Sequence, residues 1–224
     1  MTKPGIIWSF LIVAVVAVIA VCVVGVWNRV GGRQAITDPR AVAAAEDEVY
    51  EVVVRHVYVP ENKNASAPHV AATQLVFSST LDTYLCPGVD KKTCLEGVLR
   101  RLRGAADGNI RPETIDNFIQ QSQAAGTLST AFRTDLPRTF VAPDSLYFGI
   151  VPIEKNSQKP FYESFRGASG IISFSHVGFD STLHEAIVST SIVCGDLCGS
   201  GRRYVLRKKW GKWKVVDAWV VWTS

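Results

Sequence analysis

The sequence predicts an α+β protein: an N-terminal transmembrane helix followed by helices packed on a C-terminal antiparallel β-meander. Three observations carry that expectation. Residues 6–27 form an apolar run without a charge, stretches between residues 38 and 126 place apolar side chains at helical spacing, and four strand-like runs separated by turns follow residue 169. Helices first and hairpins last favour helices layered on one face of a curved antiparallel sheet.

A short tail, residues 1–5, precedes the apolar run "IIWSFLIVAVVAVIAVCVVGVW" from Ile6 to Trp27, which is 22 residues long. At about 1.5 Å per residue it is long enough to cross a hydrocarbon core of roughly 30 Å. Trp8 and Trp27 stand near its ends, where amphipathic indoles prefer the headgroup region. No small-residue cleavage site follows the run, and bulky Val21 precedes Cys22 where lipoprotein processing needs a small side chain. The segment is therefore read as an uncleaved anchor. Arg29, Arg33 and Arg40 outnumber Lys3, a bias that would hold the large domain in the cytoplasm. Cys86, Cys94, Cys194 and Cys198 form two close pairs, which suit an oxidising compartment and favour the extracytoplasmic side.

Residues 28–37 are a polar, glycine-bearing linker, and residues 38–224 form the α+β domain. Asp38 is placed to cap a helix and Pro39 fits its first position. Val42, Ala45, Val49, Val52, Val53 and His56 then trace an apolar stripe, with His56 read as packed, and Pro60 ends the element. "ENKNASAPH" is a loop by composition and contains a glycosylation sequon at Asn64. "TQLVFSSTLDTYLC" reads as a strand, while "DKKTCLEGVLRRLRG" and "PETIDNFIQQSQAAG" read as helices stopped at Gly104 and Gly126. Between residues 127 and 168, four prolines break the pattern around a short strand in "SLYFGIV" and a helical turn in "KPFYESFRG". The final runs, "GIISFSHVGF", "HEAIVSTSIVC", "RRYVLRKKW" and "KWKVVDAWVVWTS", make an antiparallel meander the simplest arrangement.

The stretches "FRGASGIISFSHVGFD", "CGDLCGSGRRYVL" and "KKWGKWKVV" resemble the C-terminal region of an uncharacterised family of bacterial exported proteins. In that family a glycine-led strand with S-x-V-G-F precedes C-G-x-L-C-G-x-G and a G-K-W-K-V hairpin. The resemblance covers residues 161–224, implies bacterial export and brings no catalytic assignment. The order of elements is also similar to nuclear-transport-factor-2-like or cystatin-like domains, an architectural likeness that carries no function.

The glycine-wrapped "VCGDLCGSG" invites four readings. A phosphate loop would lead into a helix and carry a Lys-Ser/Thr pair, which are lacking. A zinc site favours two-residue spacing, whereas Cys194 and Cys198 enclose three residues. A catalytic dithiol needs a helix start to depress its thiol pKa, and these cysteines lie between strands beside Asp196. A Cys194–Cys198 staple remains, together with a Cys86–Cys94 pair. No metal or cofactor is expected.

Lys3, Arg29 and Arg33 supply three of the four excess positive charges in a chain of net charge +4, so the domain offers no general field for nucleic acid. Its one basic cluster, "RRYVLRKKWGKWK", is read as a solvated hairpin face that also guards a sheet edge. Ser175, His176 and Asp180 have hydrolase residue types, but adjacent residues of a strand point to opposite faces and no G-x-S-x-G elbow exists. On the last strand, period-two spacing puts Trp213, Val215, Asp217, Trp219 and Val221 on one face. An acid among tryptophans requires a partner or a cavity. Asp217 and His176 are accordingly the candidate pocket or buried polar residues. The expected function is a membrane-anchored bacterial envelope protein with a non-catalytic binding domain for an envelope protein or small ligand. The alternative is an extracytoplasmic enzyme, working through a Cys194/Cys198 thiol pair or a pocket acid.

Overall fold

The computed structural model describes residues 38–58, 72–83, 91–142, 146–147, 159–195 and 198–224. Asp38–Ser224 forms one unit, and the apolar run 6–27, the linker and Cys86 lie outside the described residues. Among the described residues no helix is long and apolar enough to cross a membrane.

Helix α1, Pro39–Tyr58, begins as its sequence suggests: the Arg40 amide donates to Asp38 Oδ1 at 2.9 Å, and the Val42 amide donates to the Asp38 carbonyl. Its buried stripe is Ala45, Val49, Tyr50, Val53, Val54 and Tyr58. That stripe is rotated from the expected one, leaving His56 exposed with its ring 6.2 Å from Tyr204. Strand β1, Gln74–Ser78, is followed by α2, Lys91–Gly104, a 3-10 turn at Ala105–Gly108, and α3, Pro112–Gln121. Strands β2, Arg138–Val141, β3, Leu146–Tyr147, and β4, Lys159–Pro160, precede the single-turn α4, Phe161–Ser164. The C-terminal third contains β5, Ala168–Phe174, β6, Gly178–Phe179, β7, Glu185–Gly195, β8, Cys198–Lys209, and β9, Lys212–Thr223.

These elements form a seven-stranded sheet in the order β2-β1-β5-β7-β8-β9, with β6 pairing to β7, and a separate two-stranded β3-β4 sheet. From β5 to β9 the long strands pair antiparallel in sequence order, as expected of a meander. The sheet as a whole is mixed, because β1 lies parallel to both β2 and β5. Parallel neighbours need a long crossover, and α2 and α3 lie within the one that joins β1 to β2. The β8–β9 turn is Trp210-Gly211, both at positive φ, as a two-residue hairpin turn matching strand twist requires.

Helices cover both faces of the sheet, contrary to the one-face expectation. Neighbouring residues of a strand point to opposite sides. Phe174 and Lys208 meet α1 through Tyr50 and Glu48, whereas Ile187, Arg203 and Val205 meet α2 or α3 through Leu102, Ile115 and Phe118. Phe161 and Phe165, in and just after α4, pack against Val76 and Ile171 on the α3 side. On the α1 side, Tyr50 packs against Phe132 and Phe174, which join Phe77 and Phe140 in one aromatic cluster. Fully burying a ring such as Phe77, Phe132 or Phe174 contributes about 1.5–3 kcal/mol.

Gly178 sets the separation of α3 from the sheet. A Cβ there would lie 2.2 Å from the Phe118 Cα, a backbone approach that only glycine permits.

Candidate functional site

Over strands β5, β7 and β8, beside the residue that follows α3, lies a cavity of about 360 Å³. Its floor is built from alternate positions of neighbouring strands. Ser173 of β5 stands opposite Ser191 of β7, and Ser189 of β7 stands opposite Arg203 of β8, all on the α3 side. Asp82, just past β1, is held at the rim by its own amide, which donates to the Phe174 carbonyl at 2.6 Å. At the far end the Trp222 ring lies over Gly201, where a Cβ would come within 2.1 Å of the indole Nε1. Ser122, immediately after α3, lines the cavity, and its buried Oγ has no hydrogen-bond partner among the described residues.

Three charged residues line this space; Arg202 turns its charge toward Tyr58 and Tyr204 on the α1 side, which leaves Arg203 and Asp82, of opposite sign, facing it. Arg203 is only 3% exposed; its Nε donates to Ser189 Oγ at 3.0 Å and its guanidinium lies 5.2 Å from the Phe118 ring centre. Burial, aided by Arg101, pushes its pKa down to about 10. Asp82 is half-buried and accepts a hydrogen bond from Ser191 Oγ at 3.0 Å. Burial raises its pKa, and the Ser191 bond only partly opposes that rise. Among the described residues neither group has an ion-pair partner, and they do not pair with each other.

Of the residues singled out in the sequence, Ser175 lines the cavity; the candidate site residues Cys194, Cys198, His176 and Asp217, and Asp180 with them, fall elsewhere. Cys194 and Cys198 lie at disulfide distance, Cα–Cα 5.0 Å, across the β7–β8 hairpin, and the Tyr162 hydroxyl donates to the Cys194 carbonyl. Cys94 on α2 is also disulfide-bonded. His176 is half-buried with Nδ1 3.5 Å from Glu46 Oε1, an oxygen that also accepts from the Tyr50 hydroxyl and the Val177 amide. Burial acts to raise the Glu46 pKa, but these bonds outweigh it and hold the carboxyl below its ordinary value. His176 therefore ties α1 to the β5–β6 connection and does not line the cavity. Asp180 is fully buried in the β6–β7 turn, apart from Ser175 and His176 in role as well as in direction.

Asp217 is half-buried opposite Val205, its Oδ1 accepting from the Ala218 amide, and it too is absent from the cavity wall. Its expected company is corrected by a β-bulge. Val205 pairs with Asp217 but Leu206 pairs with Val215, so one extra residue reverses the alternation. Trp213 and Val215 consequently face α1, while Asp217 and Trp219 face α2 and α3. In the basic cluster, Trp210 is exposed at the turn, Trp213 is buried beside Lys208, and Arg203 points inward. The two tryptophans share no stacking platform. Among the described residues no group of three His, Cys, Asp or Glu side chains is arranged to hold a metal.

Sequence reasoning missed Asp82 and Arg203. A signal was present in "SFS" at 173–175 and "STS" at 189–191, where small hydroxyl residues recur with period two inside apolar strands. Comparison of the chain with protein-family models, curated proteins and solved structures found no match.

Proposed function

We propose that the chain is a membrane-anchored bacterial envelope protein whose 38–224 domain binds a small polar ligand without transforming it. The observation that carries the binding reading is the cavity wall. Two opposite charges face one space without pairing, although an unpaired buried charge such as Arg203 costs several kcal/mol. Hydroxyl groups around them suit a polar occupant, and the volume falls within the range of small-molecule sites. The apolar run 6–27 and the family resemblance support anchoring and export. The rival thiol-redox reading is disfavoured because Cys194 and Cys198 lie between strands rather than at a helix start. The pocket-acid enzyme would rely on Asp82, whose raised pKa makes it the stronger catalytic rival.

Binding is tested by thermal shift on the detergent-solubilised full chain, with small anions, cations, zwitterions and neutral polyols as probes. Stabilisation by one class is expected, abolished by Ser191→Leu, which fills the floor, with the probe recovered unchanged. No protection by any class would sink the reading, and a converted probe would favour the enzyme. Placement is tested separately: protease added to intact spheroplasts should degrade residues 38–224 while a cytosolic control survives. Cleavage only after lysis would put the domain inside the cell.

A further inference from the structure

We infer that the cavity accepts a zwitterion of amino-acid size, its carboxylate on Arg203 and its ammonium group on Asp82. This rests on the binding reading and names the ligand class. A simple anion would satisfy the Arg203 guanidinium but face repulsion from Asp82; a simple cation would meet the reverse. A ligand carrying both signs compensates both groups at once and brings no net charge into the cavity.

The spacing agrees. Arg203 is tethered to Ser189 and Asp82 to Ser191, two positions apart on one face of β7, so their tethers are about 7 Å apart. In an α-amino acid the nitrogen and carboxylate carbon are about 2.5 Å apart. One hydrogen bond of about 2.9 Å at each end extends that reach to roughly 8 Å, enough to bridge groups anchored two residues apart on one strand. Arg203 presents a planar fork suited to two parallel bonds with a carboxylate. The unpartnered Ser122 hydroxyl and Ser173 remain for the ligand's other polar atoms, and the Trp222 ring closes the far end.

Calorimetric titration of the detergent-solubilised full chain at pH 7 decides the matter. The probes are the common α-amino acids, propionate, n-propylammonium and glucose. At least one amino acid should bind ten-fold or more tightly than propionate or n-propylammonium. Arg203→Met should weaken that binding at least ten-fold, and Asp82→Asn should bring amino acid and propionate to similar affinities. Should Arg203→Met fail to fold, the Asp82→Asn comparison stands alone. Propionate, n-propylammonium or glucose matching the best amino acid would overturn the zwitterion assignment while leaving a binding cavity. If no probe binds wild type, both the assignment and the binding reading fail.

Discussion

Asp180→Ala is expected to lower the unfolding free energy by about 3–5 kcal/mol, a large share of the roughly 5–15 kcal/mol typical of a domain. The carboxylate is fully buried, and its Oδ1 accepts the His184 and Glu185 amides at 2.7 Å each. Oδ2 takes the Thr182 hydroxyl and the Arg111 guanidinium. Alanine leaves these donors without acceptors inside a turn where Leu183 already holds a positive φ of 55°. The damage spreads, because Glu185 next door accepts from the Arg111 amide and the Thr114 hydroxyl, bonds that seat α3 on β7, and from Arg207 of β8. Asp180→Asn keeps the amide acceptor and should lose less. Burial acts to raise the Asp180 pKa, but the Thr182, Glu185, His184 and Arg111 interactions outweigh it and the net shift is downward. Its contribution is therefore complete above the unfolded value of about 4 and fades as pH falls through the lower folded value. Denaturant unfolding of wild type and both variants at pH 7 and in acid measures this. A loss below 1 kcal/mol for Asp180→Ala at pH 7 would show that the turn does not depend on the carboxylate.

The α+β class and the antiparallel run from β5 to β9 were readable because long strands with tight turns leave a local pattern. Trp210-Gly211 sits at the turn its "WGKW" context suggests. The parallel addition of β1 and β2 was not readable. Each has only four or five residues, and their pairing is decided by contacts far away in the chain. The bulge at Val216 left only the doubled Val215-Val216 as a trace in "KWKVVDAWVVW", and the register with β8 is what reveals the extra residue. Asp180 and His176 were noticed for their residue types, yet their partners reassign both to structural anchoring. The cavity needed the fold: Asp82 follows β1 and Arg203 belongs to β8, and they face one space only because β5 and β7 lie between those strands. Arg203 itself looked like part of a solvated basic face. Strand alternation separates it from Arg202 and turns it toward α3.

If Arg203 is kept for a ligand, the unliganded fold is better off without its charge. Denaturant unfolding of Arg203→Met at pH 7, in the detergent-solubilised full chain without added ligand, tests this most directly. A depression from 12.5 to about 10 corresponds to a penalty on the order of 3 kcal/mol for the charged form, at about 1.4 kcal/mol per pKa unit. Methionine removes that penalty and preserves apolar packing over Phe118, while losing a hydrogen bond to Ser189 worth about 1 kcal/mol. The variant should therefore be as stable as wild type or more stable by about 1–2 kcal/mol. Any gain should narrow as pH rises through about 10, where the wild-type side chain sheds its proton. A loss of about 3 kcal/mol or more at pH 7, the cost of breaking a buried ion pair, would show that Arg203 serves the fold and would contradict the cavity as a ligand site.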